Sequence, residues 1–345
     1  MKHSNGRTEK PQTSDRKRAA TSPQVSVVIV NFETGDLLSE VVATLFASDT
    51  QPLECIVIDN ASRDDSIETL RQRVDDPRVK ILAMPTNLGF AAGCNQGISH
   101  SVGDYVLILN PDCLLQDDVI GQLVSALEEN ENAGAAGPLI LNLDGSEQRG
   151  CRRNIPTPWQ IFCVGTGLYR LMPQHPRFRS FNQTGSNLPE DNVVVQGISG
   201  ACMLITRTAI ERVGVFDERY FMHFEDLDWC MRAGESGREI VFVPDAVAVH
   251  VGGVSGRGRP YRVEAYKHAS LIRFVRSNFA QYYPSAFVAC VSAIVYMRLC
   301  ALILRMMVFG RPQHQKGWSS LFLNNDGNDT ASDVPGNPDD STRNE

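Results

Sequence analysis

Four short aliphatic runs, each followed by a stretch of helical length, constrain the fold of this chain more than any other feature. Val25–Val30 reads as a strand buried on both faces, and Cys55–Ile58, Val79–Met84 and Tyr105–Leu109 repeat the pattern. The spacing predicts helices near Asp36–Ala47, Asp65–Val74, Gly89–Ser101 and Asp117–Glu129. Alternation of this kind requires parallel strands joined by right-handed crossovers. The expected class is α/β with a mostly parallel central sheet, whose ligands would sit beyond the carboxyl ends of the strands.

Polar residues cluster at those ends. The first strand runs into Asn31 and the second into Asp59-Asn60-Ala61-Ser62. The third leads through Pro85 and Thr86 to Asn87, Gly89 and Asn95, and the fourth ends at Asn110-Pro111-Asp112. One such tip would be only a turn or a cap, because Asp, Asn and Ser favour both. Four in order predict a single polar crevice. Gly89, Gly93 and Gly97 are spaced GxxxGxxxG, which is not the GxGxxG of dinucleotide binding, and no GxxxxGK[ST] loop occurs. Gly93 and Gly97 are expected to let a helix pack closely on the sheet, and Gly89 to shape a loop.

The segment Phe221–Arg232, FMHFEDLDWCMR, sets Glu225, Asp226 and Asp228 among Phe224, Leu227 and Trp229. Buried acids are paired, hold a metal or move a proton. A helix beginning near Glu225 would place Asp226 in its first turn, where the backbone dipole favours a carboxylate. An ordinary cap with an Asp228–Arg232 or Glu225–Arg232 ion pair fits the same residues.

Nine scattered cysteines, with no CxxC pair, argue against zinc knuckles and thioredoxin-type chemistry and favour reduced thiols in the cytoplasm. Residues 1–23 form a polar, basic arm without a secretory pattern, and 319–345 an acidic tail; both are expected to be disordered. The main domain is expected over 24–255 and a helical region over 256–318. The net charge of −7 conceals a basic stretch, Tyr261–Lys316, with eight Lys or Arg residues against the single acid Glu264. Inside it, Ala286–Phe309 is apolar except for Arg298 and Arg305. Two arginines seven residues apart share a helical face, which predicts a helix lying in a membrane interface, on the inner face of the cell membrane, more than one crossing it. No nucleic-acid partner is expected.

The series Val-Ser-Val-Val-Ile-Val-Asn, Val-Ile-Asp-Asn-Ala-Ser, Asn-Leu-Gly-Phe-Ala-Ala-Gly-Cys-Asn and Leu-Asn-Pro-Asp resembles family 2 glycosyltransferases. It continues with Gly197-Ile198-Ser199-Gly200-Ala201, Val215-Phe216-Asp217-Glu218, FEDLDW and His250-Val251-Gly252-Gly253. Within that family it is most similar to the rhamnosyltransferase-like branch, over about Val25 to Ser255. The resemblance implies a GT-A fold with a C-terminal helical appendage, a nucleotide-sugar donor, a glycan or lipid-linked acceptor, and inversion at the anomeric carbon.

By that resemblance, Asp226 matches the catalytic base, with Glu225 beside it orienting the acceptor. Asp59 and Asn60 match the contact to the donor nucleoside, and Asn31, Asn87, Gly89, Asn95, Asn110 and Asp112 complete the donor side. Asn110-Pro111-Asp112 stands where most relatives carry Asp-x-Asp, so a divalent cation, Mg²⁺ or Mn²⁺, would rest on Asp112 and His250, the neutral amide of Asn110 being a poorer ligand. Gly200, Ala201 and Asp228 fall on the acceptor side, with further acceptor contacts expected from Gln148–Asn192. A sugar nucleotidyltransferase would carry an early Gly-rich, basic loop, whereas the first strand leads to Asn31-Phe32-Glu33-Thr34-Gly35. A dehydrogenase lacks its fingerprint here, and a binding module without activity would have no use for a base.

Overall fold

The computed structural model describes residues 24–170, 181–184, 186–254 and 259–309. The arm 1–23 and the tail 319–345 lie outside the described residues. The chain divides into a compact unit, Met1–Leu304, and a second, Arg305–Glu345, of which only the final helical turn to Phe309 is described.

The predicted alternation is present to within about two residues at each boundary. It runs β1 (Val25–Asn31), α1 (Leu37–Ala47), β2 (Glu54–Asp59), α2 (Ser66–Arg73), β3 (Val79–Ala83), α3 (Phe90–His100), β4 (Tyr105–Leu109), β5 (Cys113–Leu115) and α4 (Val119–Glu128). Then come β6 (Ala133–Leu141), β7 (Arg152–Arg153), α5 (Pro158–Thr166), β8 (Val193–Val195), β9 (Gly197–Ile198), β10 (Cys202–Thr206) and α6 (Arg207–Val213). The described chain ends with α7 (Glu225–Glu235), β11 (Glu239–His250), α8 (Pro260–Phe279) and α9 (Ser285–Phe309).

Nine strands form one sheet in the order β3-β2-β1-β4-β10-β6-β11-β5, with β8 added on β11. β3, β2, β1 and β4 are mutually parallel, as are β6 and β11, while β10, β5 and β8 run against them. The strands β1 and β2 are buried at every position, as expected for β-branched runs covered by helices on both faces. Gly93 and Gly97 pack as predicted: a Cβ on Gly97 would stand 2.1 Å from Val28 Cγ1, and one on Gly93 2.7 Å from Val30 Cγ1. All nine cysteines are unpaired and seven are buried.

Register brings distant tips together. Asn31 pairs with Asp59 across β1 and β2. Antiparallel β10 sets Cys202 opposite Leu109, and the amide of Asn110 donates to the carbonyl of Ala201 at 2.8 Å. Antiparallel β5 and β11 pair Cys113 with His250, which delivers Asp112 and His250 to the same place. A small second sheet, β7 with β9, sets Arg153 opposite Gly197.

Helices α8 and α9 pack on α5 through Ile161, Ile272, Val275, Val288, Val291 and Val295. α9 has 25 residues, and its most apolar 18-residue stretch has a mean hydropathy of 2.3, long and apolar enough to cross a membrane by length and composition. Only about a fifth of its most apolar stretch is buried, and Tyr296, Met297 and Leu304 are exposed.

Candidate active site

A cleft of about 910 Å³ opens beyond the carboxyl ends of the sheet strands. Asn60, Asn87, Gly89, Asn110, Asp112, Gly200, Ala201, Glu225, Asp226 and His250 all line it. Ten residues singled out from the sequence therefore share one cavity.

Glu225 and Asp226 begin α7, directly after His223 and Phe224, which hold φ of 62° and 70°. Left-handed backbone is costly for a bulky side chain, and two in succession persist only where packing enforces them. Phe224 is held against Phe274, with ring centroids 5.6 Å apart. The turn leads directly into α7, whose first residues Glu225 and Asp226 line the cleft. Trp229 is the anchor on the opposite face: it is fully buried and donates from Nε1 to the Gly214 carbonyl at 2.9 Å.

Asp226 is 7% exposed, and both its oxygens are engaged. Oδ2 accepts from the Gly200 amide at 3.0 Å and from Arg153 Nη2 in a short ion pair, while Oδ1 accepts from its own helix at Leu227 N, 2.8 Å. A Cβ on Gly200 would stand 3.2 Å from Asp226 Cβ, so a larger residue there would have to displace Asp226 by a few tenths of an ångström. Glu225, 4% exposed, is treated oppositely. Its Oε2 is buried without a hydrogen-bond partner, and burial, reinforced by the charge of Asp226, pushes its carboxyl up to about 8. Near neutral pH Glu225 therefore keeps its proton.

Asp112 and His250 meet with Oδ1 and Nε2 3.1 Å apart, while His250 Nδ1 donates to Gln148 Oε1 at 2.6 Å and fixes the ring. Burial alone would raise the Asp112 carboxyl. The charge and hydrogen bond of His250, with backbone N–H groups, outweigh burial and lower it, so the group is an anion. Two ligands of one octahedral cation at about 2.1 Å lie about 3 Å apart, so Asp112 and the oriented His250 ring, with Nε2 free of its proton, are spaced to hold a divalent cation. Asn110 Nδ2 lies 3.1 Å from the same Nε2. Among the described residues no third His, Cys, Asp or Glu joins the pair, so further ligands would have to come from substrate or water.

Four of the sequence-predicted residues do not line the cleft. Asn31 is fully buried and donates to Asp59 Oδ1, Ser62 and Ser66; Asp59 is thereby tied to β1. Asn95 clamps the backbone of Phe216 from both sides, at 2.9 and 3.0 Å. Asp228 faces away, accepting from Arg232 Nε at 2.9 Å and from Tyr220 and Asn278 at 3.2 Å each. Buried polar side chains are satisfied by their neighbours, and each of these four has a hydrogen-bond partner within the protein. The donor-side roles expected of Asn31, Asp59 and Asn95 and the acceptor-side role expected of Asp228 have no direct opening to this cavity. Asn60 also braces the loop, bonding Gly89 O and Leu88 N, yet still lines the cavity.

Arg153 was not singled out from the sequence, although Gln148, Arg149, Gly150 and Arg153 of the predicted acceptor segment line the cleft. A lone arginine in an irregular segment gives no local signal of a carboxylate partner 73 residues away. The basic content of Tyr261–Lys316 did signal something, and Arg262, Lys267 and Arg298 border the same cavity.

Comparison with known proteins agrees with this geometry. Residues 26–214 match the model of glycosyl transferase family 2. The chain is 31% identical over 239 residues to the N-acetylglucosaminyl-diphospho-decaprenol L-rhamnosyltransferase of Mycobacterium tuberculosis, covering 65% of this chain and 75% of that protein. Among solved structures, a mannosyltransferase from Pyrobaculum calidifontis in complex with GDP-Man and Mn²⁺ superposes with a TM-score of 0.51 at 15% identity, covering 84% of this chain and 81% of that one. GalNAc-T7 with UDP, GalNAc and Mn²⁺ superposes with a TM-score of 0.53 at 17% identity, covering 76% of this chain and about half, 49%, of that one. The chain belongs to glycosyl transferase family 2: it is a glycosyltransferase of the GT-A fold, similar to rhamnosyltransferases.

Proposed function

We propose that this enzyme moves rhamnose from a nucleoside diphosphate to a hydroxyl of a glycan or lipid-linked acceptor, with inversion at the anomeric carbon. The observation that carries the reading is the opening of Asp226 into the same cleft as Asn110, Asp112 and His250. In a single displacement the acceptor oxygen bonds to the anomeric carbon as the bond to the diphosphate oxygen breaks. The hydroxyl proton passes to Asp226, a step contributing typically about 10²–10⁴-fold. Arg153 and the amides of Gly200 and Leu227 fix the carboxylate, and its remaining lone pairs are open to a hydroxyl. Glu225, protonated near neutral pH, orients the acceptor as a hydrogen-bond donor. A Mg²⁺ or Mn²⁺ ion held by Asp112 and His250 would supply positive charge against the departing diphosphate.

The exposed Tyr296, Met297 and Leu304 of α9 support peripheral contact with the cytoplasmic face of a membrane, where a lipid-linked acceptor would be met. In this reading residues 24–255 are the transferase domain and 256–318 the membrane-facing appendage. The test is a donor panel on the full chain, comparing TDP-rhamnose with UDP- and GDP-sugars by saturation-transfer binding in the presence of Mg²⁺. TDP-rhamnose is expected to bind at least tenfold tighter than the others. Binding of none of these sugars would overturn the reading.

A further inference from the structure

The turn that leads into α7 carries one side chain that the protein itself does not use. Of its four residues Phe221, Met222, His223 and Phe224, three are braced on α8. The Phe221 ring stacks on Tyr266 with centroids 4.2 Å apart, the Met222 carbonyl accepts from Ser270 Oγ at 2.9 Å, and the Phe224 ring lies 5.6 Å from Phe274. The imidazole of His223 has no hydrogen bond, ion pair or ring contact among the described residues. It keeps exposed surface and lines the cleft together with Arg153, Glu225 and Asp226. Its φ of 62° is a conformation that glycine adopts freely and a side chain adopts at a cost. A histidine held there without a partner in the protein fits a turn shaped for a ligand outside it.

The chemistry of the ring narrows the ligand. The protein packed around the cleft is the first cause, and the charge of Lys267 on α8 the second, that push the imidazole down to about 4. Arg153 of β7 acts in the same direction, and Asp226 of α7 opposes them. A neutral imidazole offers one N–H donor and one bare nitrogen acceptor. That pairing matches a hydroxyl, which donates and accepts at once, better than it matches a phosphate, which accepts only. Glu225 Oε2 and Arg153 Nε are likewise buried without hydrogen-bond partners. Unmet hydrogen-bonding capacity therefore gathers around Asp226.

In a single displacement the attacking hydroxyl approaches the anomeric carbon opposite the departing diphosphate, so the groups around the base face the acceptor. Neighbouring hydroxyls of a sugar ring lie close enough for two side chains of one turn to take one each. Resting on the transferase reading above, we infer that His223 is a specificity-determining contact to the acceptor. It hydrogen-bonds the ring hydroxyl next to the one whose proton passes to Asp226, and so selects sugars that carry a free adjacent pair of hydroxyls.

The test uses the full chain, the donor that binds tightest in the panel above, and the octyl glycosides of glucose, galactose, mannose and N-acetylglucosamine as acceptors. The attacked position is read from the product by NMR, and the monodeoxy derivatives flanking that position are then assayed. In the wild type one of them is expected to lower kcat/KM about tenfold or more. His223→Gly, which suits the left-handed backbone, should raise the acceptor KM about tenfold while donor affinity and unfolding temperature hold. The same variant should use the parent acceptor and that deoxy derivative equally well, within about twofold, because the partner of the missing hydroxyl is gone. His223→Asn tolerates the same backbone and keeps a donor and an acceptor, so it should recover most of the lost affinity. An unchanged acceptor KM in His223→Gly, a deoxy penalty as large there as in the wild type, or no recovery in His223→Asn would each overturn the inference. So would a loss of donor affinity in His223→Gly, which would put the ring on the donor, or a wild type that glycosylates none of the four acceptors. A chain that binds no donor refutes the transferase reading; one that binds donor and fails any of these comparisons refutes only the role of His223.

Discussion

Arg153 donates from Nη2 to Oδ2 of Asp226, joining the short strand β7 to the first turn of α7 across 73 residues of sequence. Both side chains are largely buried, and Asp226 also receives two backbone amides. A carboxylate held this firmly has little freedom to turn, which serves a base that must meet a hydroxyl in one geometry. Removing Arg153 leaves a buried anion with only its amides. Arg153→Ala is therefore expected to cost about 2–3 kcal/mol in chemical denaturation, below the roughly 3–5 kcal/mol for a fully buried pair because the amides remain.

Asp226→Asn keeps the shape of the side chain and removes its ability to take a proton. The variant should fold and bind donor as the wild type does, while the rate of transfer falls by about 10³-fold or more. Single-turnover kinetics with saturating donor measure this directly, and an unchanged rate would remove Asp226 from the role of base.

Glu225 gives the protein a distinctive pH dependence. Its carboxyl is raised from an ordinary value of 4.5 to about 8, first by burial and then by the charge of Asp226. Between those values the native state holds a proton that the unfolded chain has released, so stability falls as pH rises through this window. The slope contributed is at most about 1.4 kcal/mol per pH unit. Glu225→Gln should flatten the decline between about pH 5 and 8 in urea titrations; an identical slope in both proteins would contradict the assignment.

Asp112 and His250 are the residues on which cation dependence rests. Chelation should abolish transfer and Mg²⁺ or Mn²⁺ restore it, and Asp112→Asn should raise the concentration of metal needed for half-maximal activity by about tenfold or more. Activity indifferent to chelator would exclude these two as ligands.

Gly89 has a φ of +88°, and a Cβ there would lie 2.5 Å from the carbonyl oxygen of Phe221, which already accepts from Phe90 N at 2.7 Å. Gly89→Ala must therefore move backbone on the segment that leads into Glu225 and Asp226. A loss of about 2 kcal/mol or more is expected, with transfer reduced alongside it, as judged by thermal unfolding and turnover together.

Much of this molecule is legible along the chain. The β-branched runs determine buried strands because nothing else buries such side chains on both faces, and the tight contacts of Gly93 and Gly97 with Val30 and Val28 follow from residue size. The start of α7 at Glu225 and the core role of Trp229 are likewise written locally. Polar residues at strand ends are a different matter. Asn60 and Asn110 face the cleft, whereas Asn31 and Asn95, chemically the same, are consumed by neighbours, since the outcome depends on which donors and acceptors the fold brings within about 3 Å. The antiparallel insertion of β10, the meeting of Asp112 with His250 across β5 and β11, and the Arg153–Asp226 pair join segments tens to more than a hundred residues apart. Periodicity reports which side of an element is buried, but a partner across the sheet leaves no mark in local spacing. Sequence alone thus determined the α/β class and the carboxylates on offer, and tertiary packing decided that Asp226 is held by Arg153, that Glu225 is buried without a partner, and that Asp228 is tied to Arg232 and Tyr220, because only the fold sets which donors lie beside each one.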